Sequence, residues 1–220
     1  MKLCVIGGAG ARSAFLTKSL VKSTRDIRVD HIVLLDNDQQ KLKTYGEISR
    51  ELSRRLDPDL TFEVTSDARA ALTGVDYIIT TIRAGGDAGR LFDEQTCLAH
   101  GVLGQETTGA GGFAMAIRSV PTLVYYCTLA REVANPGHLI FNFTNPSGII
   151  TQALRSKGFD NVYGICDAPS GFIKQLEEIL EIPYGTLDIE CYGLNHLSWF
   201  RNAKVNGRDV QRELLDNPRT

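Results

Sequence analysis

The sequence lacks the features that define several specialised classes of protein. It has no dense block of lysine and arginine, and its 220 residues carry a net charge of −2, so a nucleic-acid-binding surface is not expected. Internal repeats, low-complexity tracts and flexible Ser/Gly linkers are also missing. Its five cysteines include no Cys-x-x-Cys pair, which favours reduced thiols over a disulfide framework.

The first residues lack a long apolar segment. Met1-Lys-Leu-Cys-Val-Ile-Gly contains only a strand-length apolar run. A signal peptide needs a longer apolar core, and a membrane-spanning helix needs ~20 apolar residues. We therefore expect a cytoplasmic protein that binds neither nucleic acid nor a membrane.

What the sequence does contain is an alternation of apolar strands and amphipathic helices. Short runs rich in β-branched and aromatic residues predict strands at Lys2–Ile6, Ile32–Leu35, Tyr77–Thr81, Leu139–Phe143 and Val162–Ile165. Apolar residues at helical spacing predict helices over Ser13–Ser23, Gln39–Leu56 and Phe113–Val133, and after Pro146 and Pro169. This alternation predicts the α/β class, with a doubly wound, Rossmann-like parallel sheet.

The pattern changes after Pro183. Leu187–Leu194 and Ser198–Ala203 are predicted as strands, and the Asn206-Gly207 pair is typical of a tight hairpin turn. We expect a Rossmann-like domain over residues 1–183 and the start of a second, α+β domain over residues 184–220.

A glycine-rich turn, with Gly7, Gly8 and Gly10, joins the first predicted strand to the first helix. Peptide N–H groups and the positive end of a helix can bind a pyrophosphate there. The usual third glycine is replaced by Ser13, so the turn alone is weak evidence. Asp36 ends the second strand, where a carboxylate would accept hydrogen bonds from the ribose hydroxyls of an adenosine. No arginine follows it to bind the 2′-phosphate of NADP, so NAD is the expected cofactor. Alternatively, the turn and Asp36 are only structural.

Further polar residues follow later strands and are expected at the carboxyl edge of the sheet, where open α/β folds bind ligands. Asn145 can donate to and accept from a sugar hydroxyl, although Asn-Pro also starts turns. Cys166 follows the next strand, and His196 interrupts two strand-like runs. A thiolate and an imidazole could bind one metal ion, but this spacing is not by itself a metal motif.

The segment from Arg83 to Gly112 is dense in polar and glycine positions and predicts an irregular ligand-binding region rather than core. With Asn142–Gly148, Gly164–Asp167 and Gly193–His196, it closely resembles the family 4 glycoside hydrolases. These are NAD- and metal-dependent enzymes that include 6-phospho-β-glucosidases, 6-phospho-α-glucosidases, α-galactosidases and α-galacturonidases. The resemblance runs from Met1 to about Phe200.

The resemblance implies hydrolysis by redox and elimination rather than by paired carboxylates. NAD⁺ takes hydride from sugar C3, a base removes the acidified C2 proton, the C1 substituent leaves, water adds, and the hydride returns. Cys166 and His196 would hold the divalent ion, expected to be Mn²⁺, although other divalent metals would also serve.

Four further roles follow from the same resemblance. Arg90 and Asn145 match substrate-contact positions. Asp167 matches the residue that donates a proton to the leaving oxygen in the phospho-α enzymes. Glu106 matches an acidic residue that assists the catalytic base. Alternatively, Asp167 only caps the helix that follows it, and Glu106 only braces its loop.

Two departures from the family pattern stand out. The turn reads Gly-Gly-Ala-Gly-Ala-Arg-Ser instead of the commoner Gly-Gly-Gly-Ser followed by Tyr-Thr-Pro. The family's tyrosine base and a further substrate arginine have no counterpart in these 220 residues.

We expect a 6-phospho-β-glucosidase acting on a phosphorylated disaccharide or other small glycoside, as a homodimer or homotetramer. The alternatives are another specificity of the same family, an NAD-dependent 2-hydroxy-acid dehydrogenase, and a non-catalytic NAD-binding fragment.

Overall fold

A six-stranded parallel sheet forms the centre of the first part of the chain. The structure is a computed structural model that describes residues 1–219, apart from the side chain of Arg25. The strands are β1 (Lys2–Ile6), β2 (His31–Leu35), β3 (Thr61–Thr65), β4 (Tyr77–Thr80), β5 (Leu139–Asn142) and β6 (Val162–Gly164). Their order is β3-β2-β1-β4-β5-β6, so the direction of winding reverses between β1 and β4. Open α/β folds bind ligands beyond the carboxyl ends of the strands at this switch point.

Helices connect these strands. They are α1 (Ser13–Ile27), α2 (Gln39–Lys41), α3 (Glu47–Leu56), α4 (Ala68–Leu72), α5 (Gly86–Ala99), α6 (Gly109–Val133) and α7 (Ser147–Ser156), with a π-helical turn at Leu42–Gly46. The doubly wound parallel sheet predicted from the sequence is confirmed.

The two faces of the sheet bury different residues of the same strands. Cys4 and Ile6 of β1 lie in one apolar cluster, and Leu3 and Val5 lie in the other. Successive strand side chains point to opposite faces, so a strand covered on both sides becomes a continuous apolar run. This is why β1 was recognisable from sequence.

The long helix α6 supplies much of the first cluster, including Leu123, Cys127 and Ala130. By length and hydropathy alone α6 could cross a membrane. One face of α6 is buried in the core cluster that packs on the sheet. Burial also raises the pKa of the Cys4 and Cys127 thiols to about 12, so both thiols are inert near neutral pH.

The second part of the chain has its own small core. It contains α8 (Ala168–Ile179), the antiparallel strands β7 (Leu187–Leu194), β8 (Leu197–Val205) and β9 (Arg208–Asp209), and α9 (Gln211–Leu215). The compact units are Met1–Ile165 and Cys166–Thr220, so the division lies before the expected boundary at residue 183. The reason is that Leu176 of α8 packs with Leu187, Ala203 and Val210.

The hairpin predicted around Asn206-Gly207 joins β8 to β9, with Val205 paired to Arg208. Both turn residues have positive φ angles, 49° and 82°, as the Asn-Gly pair indicates. Two other expectations differ from the structure. The edge strand β3 was not predicted, and the segment after Arg83 contains the regular helix α5 where an irregular region was expected.

Candidate functional site

Gly7, Gly8 and Gly10 of the first turn lie in different surroundings, which explain the absence of a side chain in different ways. Gly7 has a φ angle of +85°, and a Cβ atom there would lie 2.6 Å from the carbonyl oxygen of Thr81. A Cβ on Gly8 would lie 2.9 Å from the Leu34 Cβ. A Cβ on Gly10 would meet nothing within 4 Å. Gly7 and Gly8 therefore let the turn pack against the sheet, whereas Gly10 faces open space that a ligand could approach.

Helix α1 begins directly after this turn with an uncapped N-terminus. Arg12 is the N-cap residue, its side chain makes no capping bond, and the first turn contains no acidic residue. The Ser13 N–H donates to the Gly10 carbonyl at 3.0 Å, and the remaining N–H groups of the first turn and the positive end of the helix dipole favour an anion at this position.

Asp36 links the turn to the end of β2. Its Oδ2 accepts a hydrogen bond from the Ala9 N–H at 3.1 Å, and its Oδ1 accepts one from the Asp38 N–H at 3.0 Å. An ionised carboxylate has about four acceptor positions, so two remain for ribose hydroxyls. Asp36 thus shapes the turn and can still bind a ligand. The structural role was left open from the sequence, but the bond to the Ala9 N–H was not predicted.

Two arginines converge on Glu106, which lies in the loop between α5 and α6. Arg83 Nη1 forms an ion pair with Glu106 Oε2, and Arg90 Nε lies 3.6 Å from the same oxygen. Arg90 Nε also donates to Glu94 Oε1 at 2.8 Å, and this bond, together with Glu106, raises the pKa of the Arg90 guanidinium. Glu106 therefore does brace its loop, and it also brings Arg90 beside Arg83.

Glycines allow this loop to fold tightly. A Cβ on Gly104 would lie 2.7 Å from the Glu94 carbonyl oxygen, and a Cβ on Gly111 would lie 2.5 Å from that of Gln105. The Gln105 side-chain oxygen accepts a bond from the Thr108 N–H at 2.8 Å, which holds the loop just before α6. Close backbone packing therefore requires glycine at these two positions of the loop. Gln105 was not assigned this role from sequence.

A buried amide organises the loop after β5. Asn142 is fully buried, and its Oδ1 accepts a bond from the Thr80 hydroxyl at 2.8 Å. Its Nδ2 donates to Thr151 Oγ1 at 3.1 Å and to the Ser147 carbonyl at 3.3 Å. The peptide bond between Asn145 and the following proline is cis. Among the described residues none hydrogen-bonds to the Asn145 side chain, which remains available to a ligand.

Cys166 and His196 lie together in the second compact unit. Cys166 Sγ is 3.3 Å from His196 Nε2, although the residues are 30 positions apart. The Ala168 N–H also donates to Cys166 Sγ at 3.4 Å. His196 lies in the turn between β7 and β8 with a φ angle of 60°. A sulfur and an imidazole nitrogen this close suit one divalent ion.

The surroundings of this pair leave other coordination positions open. Within residues 1–219 no group of three His, Cys, Asp or Glu residues is arranged to hold a metal ion. Water or a bound ligand would therefore complete the coordination. Asp167 is exposed and lies at the N-cap position of α8, but its side chain makes no capping bond. The alternative in which it serves only as a helix cap therefore has no support in the geometry.

Comparison with known proteins gives one family. A model described as family 4 glycosyl hydrolase matches residues 2–182. The chain belongs to the family 4 glycosyl hydrolases. The resemblance that was inferred from the motifs is confirmed.

Named members of family 4 match almost the whole chain. It is 35% identical to a 6-phospho-β-glucosidase of Thermotoga maritima over 99% of its length, covering 51% of that protein. It is 32% identical to a phospho-α-glucosidase of Clostridium acetobutylicum over 98% of its length, covering 50% of that protein. The chain thus spans about half the length of these family 4 relatives.

A solved family 4 structure shares the fold. The Thermotoga maritima 6-phospho-β-glucosidase with manganese, NAD⁺ and glucose 6-phosphate superposes with a TM-score of 0.89 at 33% identity. The match covers 99% of this chain and 52% of that one.

Proposed function

We propose that this family 4 chain carries the NAD- and metal-binding residues of a 6-phospho-β-glucosidase that works by redox and elimination. The observation that carries the proposal is the approach of Cys166 Sγ to His196 Nε2, 3.3 Å apart. The uncapped α1 N-terminus and the open space at Gly10 support the cofactor part of the proposal. NAD⁺, Mn²⁺ and glucose 6-phosphate occur together in the Thermotoga maritima structure, which supports a phosphorylated sugar as substrate.

The residues of this chain fit both a divalent metal ion and NAD⁺. Cys166 and His196 would hold the metal ion, while Gly10, the α1 N-terminus and Asp36 would bind the dinucleotide. When bound, these groups supply a Lewis acid and a hydride acceptor.

The remaining site residues act on the sugar and the leaving group. Arg90 and Asn145 would hold the sugar through charge-assisted and amide hydrogen bonds. Asp167 would donate a proton to the leaving oxygen, the role that its position in the family pattern implies, and its exposed carboxylate is not engaged in capping α8. Glu106 would hold the positively charged guanidinium of Arg83 in a fixed position near the reacting sugar.

We also propose a cytoplasmic location and a homodimer or homotetramer. The five cysteines are free thiols, and Cys166 must remain reduced to serve as a metal ligand. Exposed apolar side chains on α6, including Phe113 and Ile117, are consistent with a subunit interface.

We expect NAD⁺ binding to depend on the open space at Gly10. Gly10→Val should weaken NAD⁺ binding at least about tenfold, or about 1.4 kcal/mol, because the new side chain occupies space in the turn. The matched control is Gly171→Val, since a Cβ on Gly171 also meets nothing within 4 Å. Calorimetric titration of reduced protein measures both affinities. Equal affinities for the two variants would contradict the assignment, and no binding to any variant would remove the cofactor from the proposal.

Anomer preference tests the substrate part. In a version of the protein that also carries the family's tyrosine base, we expect faster turnover of the nitrophenyl β-glucoside 6-phosphate than of its α anomer in the presence of NAD⁺ and Mn²⁺, with no net accumulation of NADH. The reason for the second expectation is that the hydride returns to the sugar in each cycle. Faster turnover of the α anomer would contradict the proposed β specificity and indicate a 6-phospho-α-glucosidase. NADH accumulation with a 2-hydroxy acid would indicate a dehydrogenase, and NAD⁺ binding without turnover would indicate a non-catalytic fragment.

A further inference from the structure

The guanidinium of Arg118, on α6, touches the segments that carry both arginines of the Glu106 cluster. Its Nη1 donates to Asp93 Oδ1 at 2.9 Å, and its Nη2 donates to Asp93 Oδ2. Its Nε donates to the carbonyl oxygen of Ala84 at 3.4 Å. Ala84 directly follows Arg83, and Asp93 lies on α5, the helix that carries Arg90. One side chain thus links α6 to the α5 helix and to the loop before it.

The backbone around Arg118 is shaped to receive it. A Cβ on Gly85 would lie 3.0 Å from Arg118 Nε, and a Cβ on Gly89 would lie 3.4 Å from Arg118 Nη2. Gly85 also has a φ angle of +84°, which disfavours other residues. The backbone at the start of α5 therefore lies close to the Arg118 guanidinium.

The ion pair itself is costly to break. The Asp93 side chain is only 5% exposed, and that of Arg118 is 31% exposed. A carboxylate this deeply buried needs its partner, because removing one member of a buried pair leaves an uncompensated charge. The hydrogen bond to Asp93 also raises the pKa of the Arg118 guanidinium, which remains charged.

We propose that Arg118 and Asp93 are a positioning pair that holds Arg83 and Arg90 against Glu106. Asp93 fixes the rotation of α5 and hence the direction in which Arg90 leaves the helix. The bond to the Ala84 carbonyl fixes the backbone from which Arg83 extends. Neither Arg118 nor Asp93 is among the residues proposed to hold the sugar. Only the effect of the pair on sugar binding rests on the proposed function.

An arginine is required at position 118 because three donors act in different directions. Lysine retains the charge but offers a single compact ammonium, which cannot form a bidentate pair with Asp93 and also reach the Ala84 carbonyl. Arg118→Lys therefore preserves the buried charge pair while loosening the geometry. This separates positioning from simple charge balance.

The test is the thermodynamic coupling between Arg83 and Glu106. It is obtained from a double-mutant cycle of Arg83→Gln and Glu106→Gln by urea unfolding, in the native chain and in Arg118→Lys. We expect most of this coupling to be lost in Arg118→Lys. Glucose 6-phosphate should also bind about tenfold more weakly to Arg118→Lys, as expected from the loss of a hydrogen bond to a charged group.

Two further variants keep the result decisive. Arg131→Lys alters another arginine of α6, which donates to the Gly158 carbonyl at 2.7 Å and should leave the coupling unchanged. Asp93→Asn keeps the shape of the side chain but replaces one of the two oxygens that accept from Arg118 with an amide nitrogen, so it should fold and still reduce the coupling. It gives the answer even where Arg118→Lys does not fold.

Unchanged coupling in Arg118→Lys, or in Asp93→Asn where only that variant folds, would overturn the positioning role. An equal loss in Arg131→Lys would also overturn it, because the effect would then be a general loosening of α6. Failure of the native chain to bind glucose 6-phosphate would count against the proposed function alone. The coupling measurement needs no ligand and would still decide the role of Arg118.

Discussion

Replacing Cys166 by serine, or His196 by alanine, is expected to abolish tight Mn²⁺ binding by the reduced protein. The two donor atoms are 3.3 Å apart, and the described residues offer no third carboxylate, histidine or cysteine to compensate for a lost ligand. Loss of a second-sphere contact alone commonly costs 10- to 100-fold in affinity, so loss of a direct ligand should cost at least about 100-fold. Electron paramagnetic resonance of free Mn²⁺ during a titration measures this loss.

Matched variants separate a specific site from general metal binding. Cys191→Ser alters an exposed cysteine in the same unit, and His138→Ala alters a histidine whose ring contacts the Asn135 carbonyl. Both should retain the affinity of the native chain. Retention of Mn²⁺ by both Cys166→Ser and His196→Ala would contradict the assignment.

The chemistry of the donors predicts the order of metals. A thiolate is a soft ligand that favours Zn²⁺ over the harder Mn²⁺. We therefore expect Zn²⁺ to displace Mn²⁺ from the chain in the absence of sugar, through the same two residues.

The sheet was predictable from sequence where both faces of a strand are buried. Continuous apolar runs identified β1 and β2, which are covered on both sides, and shorter apolar runs identified β4, β5 and the second edge strand β6, whose residues are less completely buried. The edge strand β3 reads Thr-Phe-Glu-Val-Thr, is partly exposed, and alternates polar with apolar residues. A search for apolar runs does not find such a strand.

Helix α5 was missed because its amphipathic pattern is inverted. Leu91, Phe92 and Leu98 are exposed, whereas the charged Asp93 is buried with Arg118 as its partner. Patterns of apolar spacing assume that carbon faces the core and charge faces water. Nothing within α5 itself indicates that Asp93 points inward, because its partner lies 25 residues later on α6.

The residues of the candidate site could be predicted from the sequence, but the contacts that hold them in place could not. Strand ends identified Asp36, Asn145 and Cys166 as positions at which ligands could bind. The side chains that hold these segments in place come from distant positions, as when the Thr80 hydroxyl meets Asn142, 62 residues away. A single sequence does not show which side chains meet, so these supporting groups required the structure.

Asn142→Ala is expected to lower the free energy of unfolding by about 3 kcal/mol. The variant removes bonds to the Thr80 and Thr151 hydroxyls and to the Ser147 carbonyl, all of which lie in a buried region. Each buried polar group left without a partner costs about 1–3 kcal/mol. Urea unfolding monitored by circular dichroism measures the change, with the m-value as a check on two-state behaviour.

The comparison with Asn161→Ala shows whether the network, rather than any single amide bond, stabilises the loop. Asn161 is a part-buried asparagine whose side chain donates to the His138 carbonyl at 3.0 Å, and the loss of this bond should cost about 1 kcal/mol. Equal costs for the two variants would mean that the Asn142 contacts do not act together. The larger cost expected for Asn142→Ala should be accompanied by faster amide exchange in residues 143–148. The loop that presents Asn145 is then held by the same bonds that stabilise the core.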